Sequence, residues 1–211
     1  MKKRKTMKKI ATIISAILLM SSTASAQLSL GGGYATPNKG GLGDEGYYLG
    51  GDYNYQINKH WGVAPGLYYT KGYCVYGWYQ PSPTGGSFRE ALEEQYIGIP
   101  VNFNYRFSFS SKFALLLYTG TTFSYGLTSN RYTYSTIHIK SDLYKEGYNN
   151  MGYKYRRYDI LWGGGLALEF FDKIRLNMGK NYGLLNRIIA PKGENYSNHR
   201  YMVYAGVAYM F

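Results

Sequence analysis

Tyr201-Met202-Val203-Tyr204-Ala205-Gly206-Val207-Ala208-Tyr209-Met210-Phe211 alternates strictly. Tyr201, Val203, Ala205, Val207, Tyr209 and Phe211 lie on one face of an extended strand, and Met202, Tyr204, Gly206, Ala208 and Met210 on the other. So apolar a strand at an open sheet edge would present unpaired N–H and C=O groups and template aggregation. A sheet that closes on itself removes that edge, so this segment reads as the seam of a barrel.

The same period of two runs back through the chain from Gln27, and seven further strands are expected. They cover about Gln27 to Thr36, Glu45 to Ile57, Trp61 to Tyr73, Glu93 to Phe107, Lys112 to Gly126, Tyr153 to Phe171 and Ile174 to Gly183. Pro65 removes a ladder donor, so a bulge or weak bond is expected there. Lys180 breaks the apolar face of its strand. Connections alternate long and short, with tight turns at Asn58-Lys59-His60, Ser108 to Ser111 and Asp172-Lys173, which puts every long loop on one rim.

The N-terminus reads as an address. Residues 1–26 carry six Lys/Arg up to Lys9, an apolar run from Ile10 to Met20, and the small-residue sequence Ala24-Ser25-Ala26. Cleavage after Ala26 is expected, leaving 27–211 as one barrel domain; Met7 offers a second start. Gln27, not Cys, follows the cut, which argues against a lipid anchor. Removing the leader lowers the basic count from 24 to 18 against 12 acidic residues, so formal charge falls from +12 to +6 and a nucleic-acid partner is not expected. Cys74 is the single cysteine, so no internal disulfide forms.

Aromatic residues on the apolar face collect at strand ends. Tyr34, Tyr47, Tyr69, Tyr125, Tyr158, Tyr182 and Tyr201 fall toward the long-loop rim, and Trp61, Phe107, Phe113, Phe170 and Phe211 toward the short-turn rim. Two girdles at the membrane interfaces are expected, with 26 Tyr and 27 Gly suiting β-structure and a crowded lumen. The fold class is therefore all-β: an eight-stranded antiparallel up-and-down transmembrane β-barrel after a cleaved signal peptide, with a packed interior.

The signal sequence, the strand Tyr96-Ile97-Gly98-Ile99-Pro100-Val101-Asn102-Phe103-Asn104-Tyr105 and the terminal Phe211 resemble the outer-membrane β-barrel, or PorT-like, family of Gram-negative bacteria. That resemblance implies residence in the outer membrane among its lipid and lipopolysaccharide. It also implies insertion by the outer-membrane assembly machinery, with the closing strand as signal. A fold of this kind does not name an activity.

Asp52, Arg106, Glu169 and Arg175 fall on the inward face and are read as a lumen ion network. Glu93 and Glu94 sit at a loop edge and are read as solvated. The polar 127–152 connection holds the outer-contact candidates Arg131, Tyr134, Lys140, Tyr144 and Lys145, a composition suited to a glycan or protein ligand. His60, His138 and His199 lack zinc or triad spacing, and Ser135 with His138 is the only sequence-local nucleophile–base pair. No catalytic, cofactor or metal residues are assigned, and a non-enzymatic structural or surface-interaction role is expected. A narrow transport or secretion-associated barrel is the alternative, and a lipid-modifying enzyme the third reading.

Overall fold

The computed structural model describes residues 26–36, 45–79, 88–134, 138–147 and 153–211, and within them the side chains outside 26, 76–79, 88–89 and 134–138. The leader expected over 1–26 lies outside these residues up to position 25, and Ala26 opens the first strand. The elements are β1 (Ala26–Thr36), β2 (Glu45–Gln56), β3 (Trp61–Tyr79), β4 (Phe88–Ser108), β5 (Phe113–Tyr134), β6 (His138–Asp142), α1 (Leu143–Glu146), β7 (Lys154–Tyr155), β8 (Tyr158–Phe170), β9 (Ile174–Gly183), β10 (Ile188–Ile189) and β11 (Tyr201–Met210).

Eight of them close a barrel. Antiparallel pairing runs β1-β2-β3-β4-β5-β8-β9-β11, and the closing strand returns to β1 from Ser29↔Met210 to Thr36↔Val203. The terminal segment thus has a partner on each side, β1 and β9. The β2–β3 ladder pairs from Glu45↔Tyr73 to Asp52↔Gly66, lapses opposite Pro65 and resumes at Tyr55↔Val63, because proline has no N–H to give. At the short-turn rim, Phe171 and Asp172 take left-handed φ of 54° and 53° to close the β8–β9 hairpin.

The barrel is apolar on its outside. Leu30, Leu49, Leu67, Phe103, Phe123, Trp162, Met178 and Val207 are all half exposed or more, while inward-facing Ala64, Ala114, Leu116, Ala167 and Ala208 are buried. In water such a continuous apolar surface would be an aggregation liability; around a barrel it is the band that meets lipid. No helix among the described residues is long and apolar enough to cross a membrane.

Inside, large rings and missing side chains fit each other. Tyr48, Tyr68, Tyr118 and Tyr204 project into the lumen, with Tyr48 and Tyr204 edge to face at 5.9 Å. A side chain at Gly206 would collide with the Tyr48 hydroxyl, one at Gly179 with Tyr204 and one at Gly165 with Tyr118. Glycine on one wall makes room for tyrosine from another.

Two features depart from the strand limits expected above. β3, β4 and β5 continue past the girdle, through residues read as loop, and β6 pairs with the β5 extension from Asn130↔Asp142 to Tyr134↔His138. Register shifts at Tyr76/Trp78 and Gln95/Tyr96 interrupt the alternation there, which hides the extension from a period-two reading. At the other side, the sixth barrel strand starts at Tyr158 and not at Tyr153. Lys154 and Tyr155 pair instead with Ile189 and Ile188, so β7 and β10 form a separate two-stranded piece.

Candidate functional site

The described residues place two polar clusters at the two ends of the lumen. The inner one lies beside the short turns. Arg175 on β9 donates from Nη1 to Asp52 at 3.0 Å and from Nε and Nη2 to Glu169 Oε1 at 3.0 and 2.9 Å. Arg106 on β4 donates to the other Glu169 oxygen at 3.0 Å and to Asp172 in the β8–β9 turn at 3.0 Å. Asp52, Arg106, Glu169 and Arg175 are therefore in one connected network, and Tyr68 extends it by donating to Asp52 at 2.6 Å. Antiparallel neighbours put Glu169 directly opposite Arg175, so this contact follows from register. With Glu169 buried, each carboxylate oxygen facing a guanidinium offsets the cost of holding charge away from water.

The outer cluster has a different construction. Glu94, read above as solvated, is 0 % exposed. Its Oε1 accepts from Ser129 Oγ at 2.9 Å, from the Tyr155 hydroxyl at 2.9 Å and from Arg187 Nη2. Arg187 also donates to the Tyr96 hydroxyl at 2.7 Å and lies 5.0 Å over the Tyr155 ring. Arg200 sits 3.6 Å over the Tyr96 ring and donates to Ser124 at 2.7 Å. Burial alone would raise the Glu94 carboxyl, but Arg187, hydrogen bonds and Arg200 hold it below the ordinary carboxylate range. Glu94 lies on β4 three residues past Ile97, the ladder partner of the girdle residues Tyr69 and Tyr125, so the pair sits on the loop side of the outer girdle.

A small apolar cluster roofs this pair. Cys74, Leu92, Leu143, Tyr155 and Ile188 are buried together, with Tyr144 and Tyr153 packed against them. α1 starts at Asp142, whose carboxylate accepts from the Tyr144 N–H at 3.0 Å, and its single turn points Leu143 into the cluster. Between roof and inner network lies a lumen cavity of ≈ 120 Å³, lined by residues including Tyr48, Asn54, Asn102, Tyr118, Asn177 and Tyr204. Its lining mixes asparagine side chains with a larger apolar ring surface.

The outer-contact candidates separate into two groups. Lys140 and Lys145 face water; Lys140 lies 5.6 Å over the Tyr132 ring and Lys145 is 3.6 Å from Asp142. Tyr144 is turned inward and partly buried: it packs on Tyr155 at 5.6 Å beneath Arg157 at 4.2 Å, and burial raises its hydroxyl pKa. Arg131 is half-buried on the inward face of the β5 extension, opposite Leu92, and so also turns from the surface. Tyr134 lies at the end of β5, with its side chain outside the described set.

The interface aromatics line two rims of the outer surface. Tyr34 pairs with Tyr47, Tyr47 lies 6.2 Å from Tyr69, Tyr125 pairs with Tyr158 and Tyr182 with Tyr201. At the opposite rim Phe113 meets Phe170 at 5.5 Å, Trp61 and Phe107 flank Tyr105 at 4.8 and 4.6 Å, and Phe211 meets Tyr209 at 5.0 Å. Among the described residues no group of three His, Cys, Asp or Glu side chains is placed to hold a metal ion. His60 and His199 engage the Arg106 and Gly183 carbonyls at 3.1 and 2.9 Å. Ser135 and the His138 side chain lie outside the described residues.

A closed eight-stranded barrel, apolar outside, ringed by aromatic rims and plugged within, defines a transmembrane barrel of the outer-membrane class. The chain belongs to the outer membrane protein beta-barrel domain family, whose model matches residues 27–188. It is an outer-membrane protein. A search of curated proteins finds no match. Among solved structures, the attachment invasion locus protein Ail of Yersinia pestis is similar at 14% identity and a TM-score of 0.46, covering 89% of this chain and 99% of that one. A major outer membrane protein of Thermus thermophilus gives 12%, 0.47, 89% and 100%, and Neisserial surface protein A gives 15%, 0.42, 88% and 97%.

Proposed function

We propose that this outer-membrane barrel is a structural and surface-interaction protein with no enzymatic chemistry of its own. The observation that carries this reading is the roof: above the lumen, β3 to β6, α1 and the β7–β10 piece form a packed platform whose lysines, Lys140, Lys145 and Lys154, face water. Cations displayed on an ordered platform suit an anionic glycan or an acidic protein surface. The test is binding of proteoliposomes carrying the full chain to sulfated and neutral glycan surfaces. Preferential, salt-sensitive binding to the sulfated surface, reduced severalfold in Lys140→Glu/Lys145→Glu, is the expected outcome; equal binding by both variants rejects the platform as the contact.

The lumen cavity, with Asn54, Asn102 and Asn177 on its walls, supports a narrow transport or secretion-associated role as the second reading. Conductance above background in planar bilayers would select it. A PorT-like affiliation is proposed from the Tyr96 to Tyr105 strand as a likeness of fold, with no secretion role carried over from it. Insertion through the assembly machinery is proposed for the closing strand, and slower membrane insertion of Phe211→Ala would support it. Lipid hydrolysis abolished by Ser135→Ala or His138→Ala would instead establish an enzyme.

A further inference from the structure

Lys180 is a cation on the lipid-facing wall. It shares the outward face of β9 with Ile174, Leu176, Met178 and Tyr182, it is exposed, and it stands two residues inside the girdle position held by Tyr182. Its strand neighbours across the ladder are Gly164 on β8 and Val203 on β11, neither of which offers a polar side chain. A lysine here costs energy that grows toward the bilayer midplane, and the side chain answers by climbing toward the interface. Its ammonium lies 4.8 Å over the Tyr201 ring.

The group around it is polar and aromatic. Tyr201 pairs directly with Tyr182, and the His199 ring stacks on Tyr182 at 5.5 Å with 20° between planes, held by a 2.9 Å contact from Nδ1 to the Gly183 carbonyl. Arg156 lies on the same flank, 5.1 Å over the exposed Tyr158 ring. Among the described residues no carboxylate is within ion-pair distance of Lys180 or Arg156. The opposite flank is different: Lys71, near Tyr47 and Tyr69, has Glu93 at 3.6 Å. One side of the outer rim therefore carries its own counter-charge, and the other presents cations whose only described partners are rings.

We propose that Lys180, with Tyr201, Tyr182 and His199, binds the phosphate of an outer-leaflet lipid headgroup against the β9–β11 wall. Lysine on an aromatic face supplies the charge, the tyrosine hydroxyls supply donors at headgroup depth, and the His199 ring, its Nδ1 engaged by the Gly183 carbonyl, backs Tyr182 by stacking. The source is a lipid because the site opens into the bilayer band, where an anion without an acyl chain does not dwell. This inference is independent of the platform reading, since its residues lie on the wall and not on the roof.

The experiment places the full chain in phosphatidylcholine nanodiscs containing either lipid A, a phosphorylated glycolipid, or its dephosphorylated form, and counts retained glycolipid by native mass spectrometry. The wild-type chain should retain the phosphorylated form in preference, and Lys180→Met should lower that preference about fivefold. Lys180→Arg should keep it and Lys71→Met should leave it unchanged. Methionine removes a charge from a lipid-facing site, so the variant folds, and an unboiled gel shift verifies this. Absence of preference in the wild type, or wild-type preference in Lys180→Met, overturns the proposal. So does displacement of the glycolipid by inorganic phosphate, which assigns the site to a free anion, or a dimer that disappears with Lys180→Met, which assigns the wall to a second protein chain.

Discussion

The two ends of the lumen hold charge in different ways. At the inner end, five charged side chains share one network, and Asp172 reaches water with 62% of its side chain exposed. At the outer end, a single carboxylate oxygen of a fully buried Glu94 collects Arg187, Ser129 and Tyr155. The inner network has substitutes for each lost contact, since Arg175 keeps Asp52 without Glu169 and Arg106 keeps Asp172. The outer pair is one direct contact, with Arg200 and Asp159 acting on it from nearby. Redundancy near water makes the first a tolerant plug, and complete burial under an apolar roof makes the second the more sensitive fastening.

The largest expected effect is therefore at Glu94. Glu94→Gln removes the carboxylate that Arg187 meets directly, and a buried guanidinium that loses its direct ion pair costs about 3–5 kcal/mol, here concentrated in the roof. Limited proteolysis should open the 184–200 segment while the barrel keeps its unboiled gel mobility. Glu169→Gln should cost about 1–3 kcal/mol, because both arginines retain an aspartate. Thermal unfolding in detergent measures it, and a Glu169→Gln loss equal to that of Glu94→Gln would erase the contrast.

Acid should sharpen the same contrast. The Glu94 carboxyl lies lower in the folded chain than in the unfolded one, so its stabilisation is complete above the unfolded value of about 4.3 and disappears as pH falls through the folded value. Hydrogen exchange in the roof should stay slow at neutral pH and rise only on strong acidification. A rise already near pH 6 would mean another group controls the roof. The smallest effect belongs to Asp172→Asn, whose ion pair is exposed: no more than about 0.5 kcal/mol, read from the same thermal curves.

The inner network is legible in the sequence because strand periodicity and hairpin geometry place its members. Alternation puts Glu169 and Arg175 on the inward face beside one tight turn, and Arg106 stands near the end of a strand at the same rim. The connection has three residues, 171–173, where two were expected, and this sets Glu169 directly opposite Arg175. Glu94 offers no such signal. It sits beyond the register shift at Gln95/Tyr96, where counting by twos fails, and its partner Arg187 comes from an irregular segment with no periodicity. The inward turn of Tyr144 is hidden for the same reason: a Tyr-rich polar stretch has the composition of a solvated loop whether its rings point out or in.

Alternation, turn spacing and ring placement along the chain were enough to determine a closed barrel, its lipid-facing side and the rim carrying the long connections, because each is a local property repeated in every strand. The tertiary structure alone decided that three strands rise past the girdle, that a one-turn helix and two short strands fold over the mouth, and that Glu94 is buried under them. Those features depend on contacts between residues as far apart as Glu94 and Arg187, and no local pattern encodes a meeting that only chain closure over the lumen brings about.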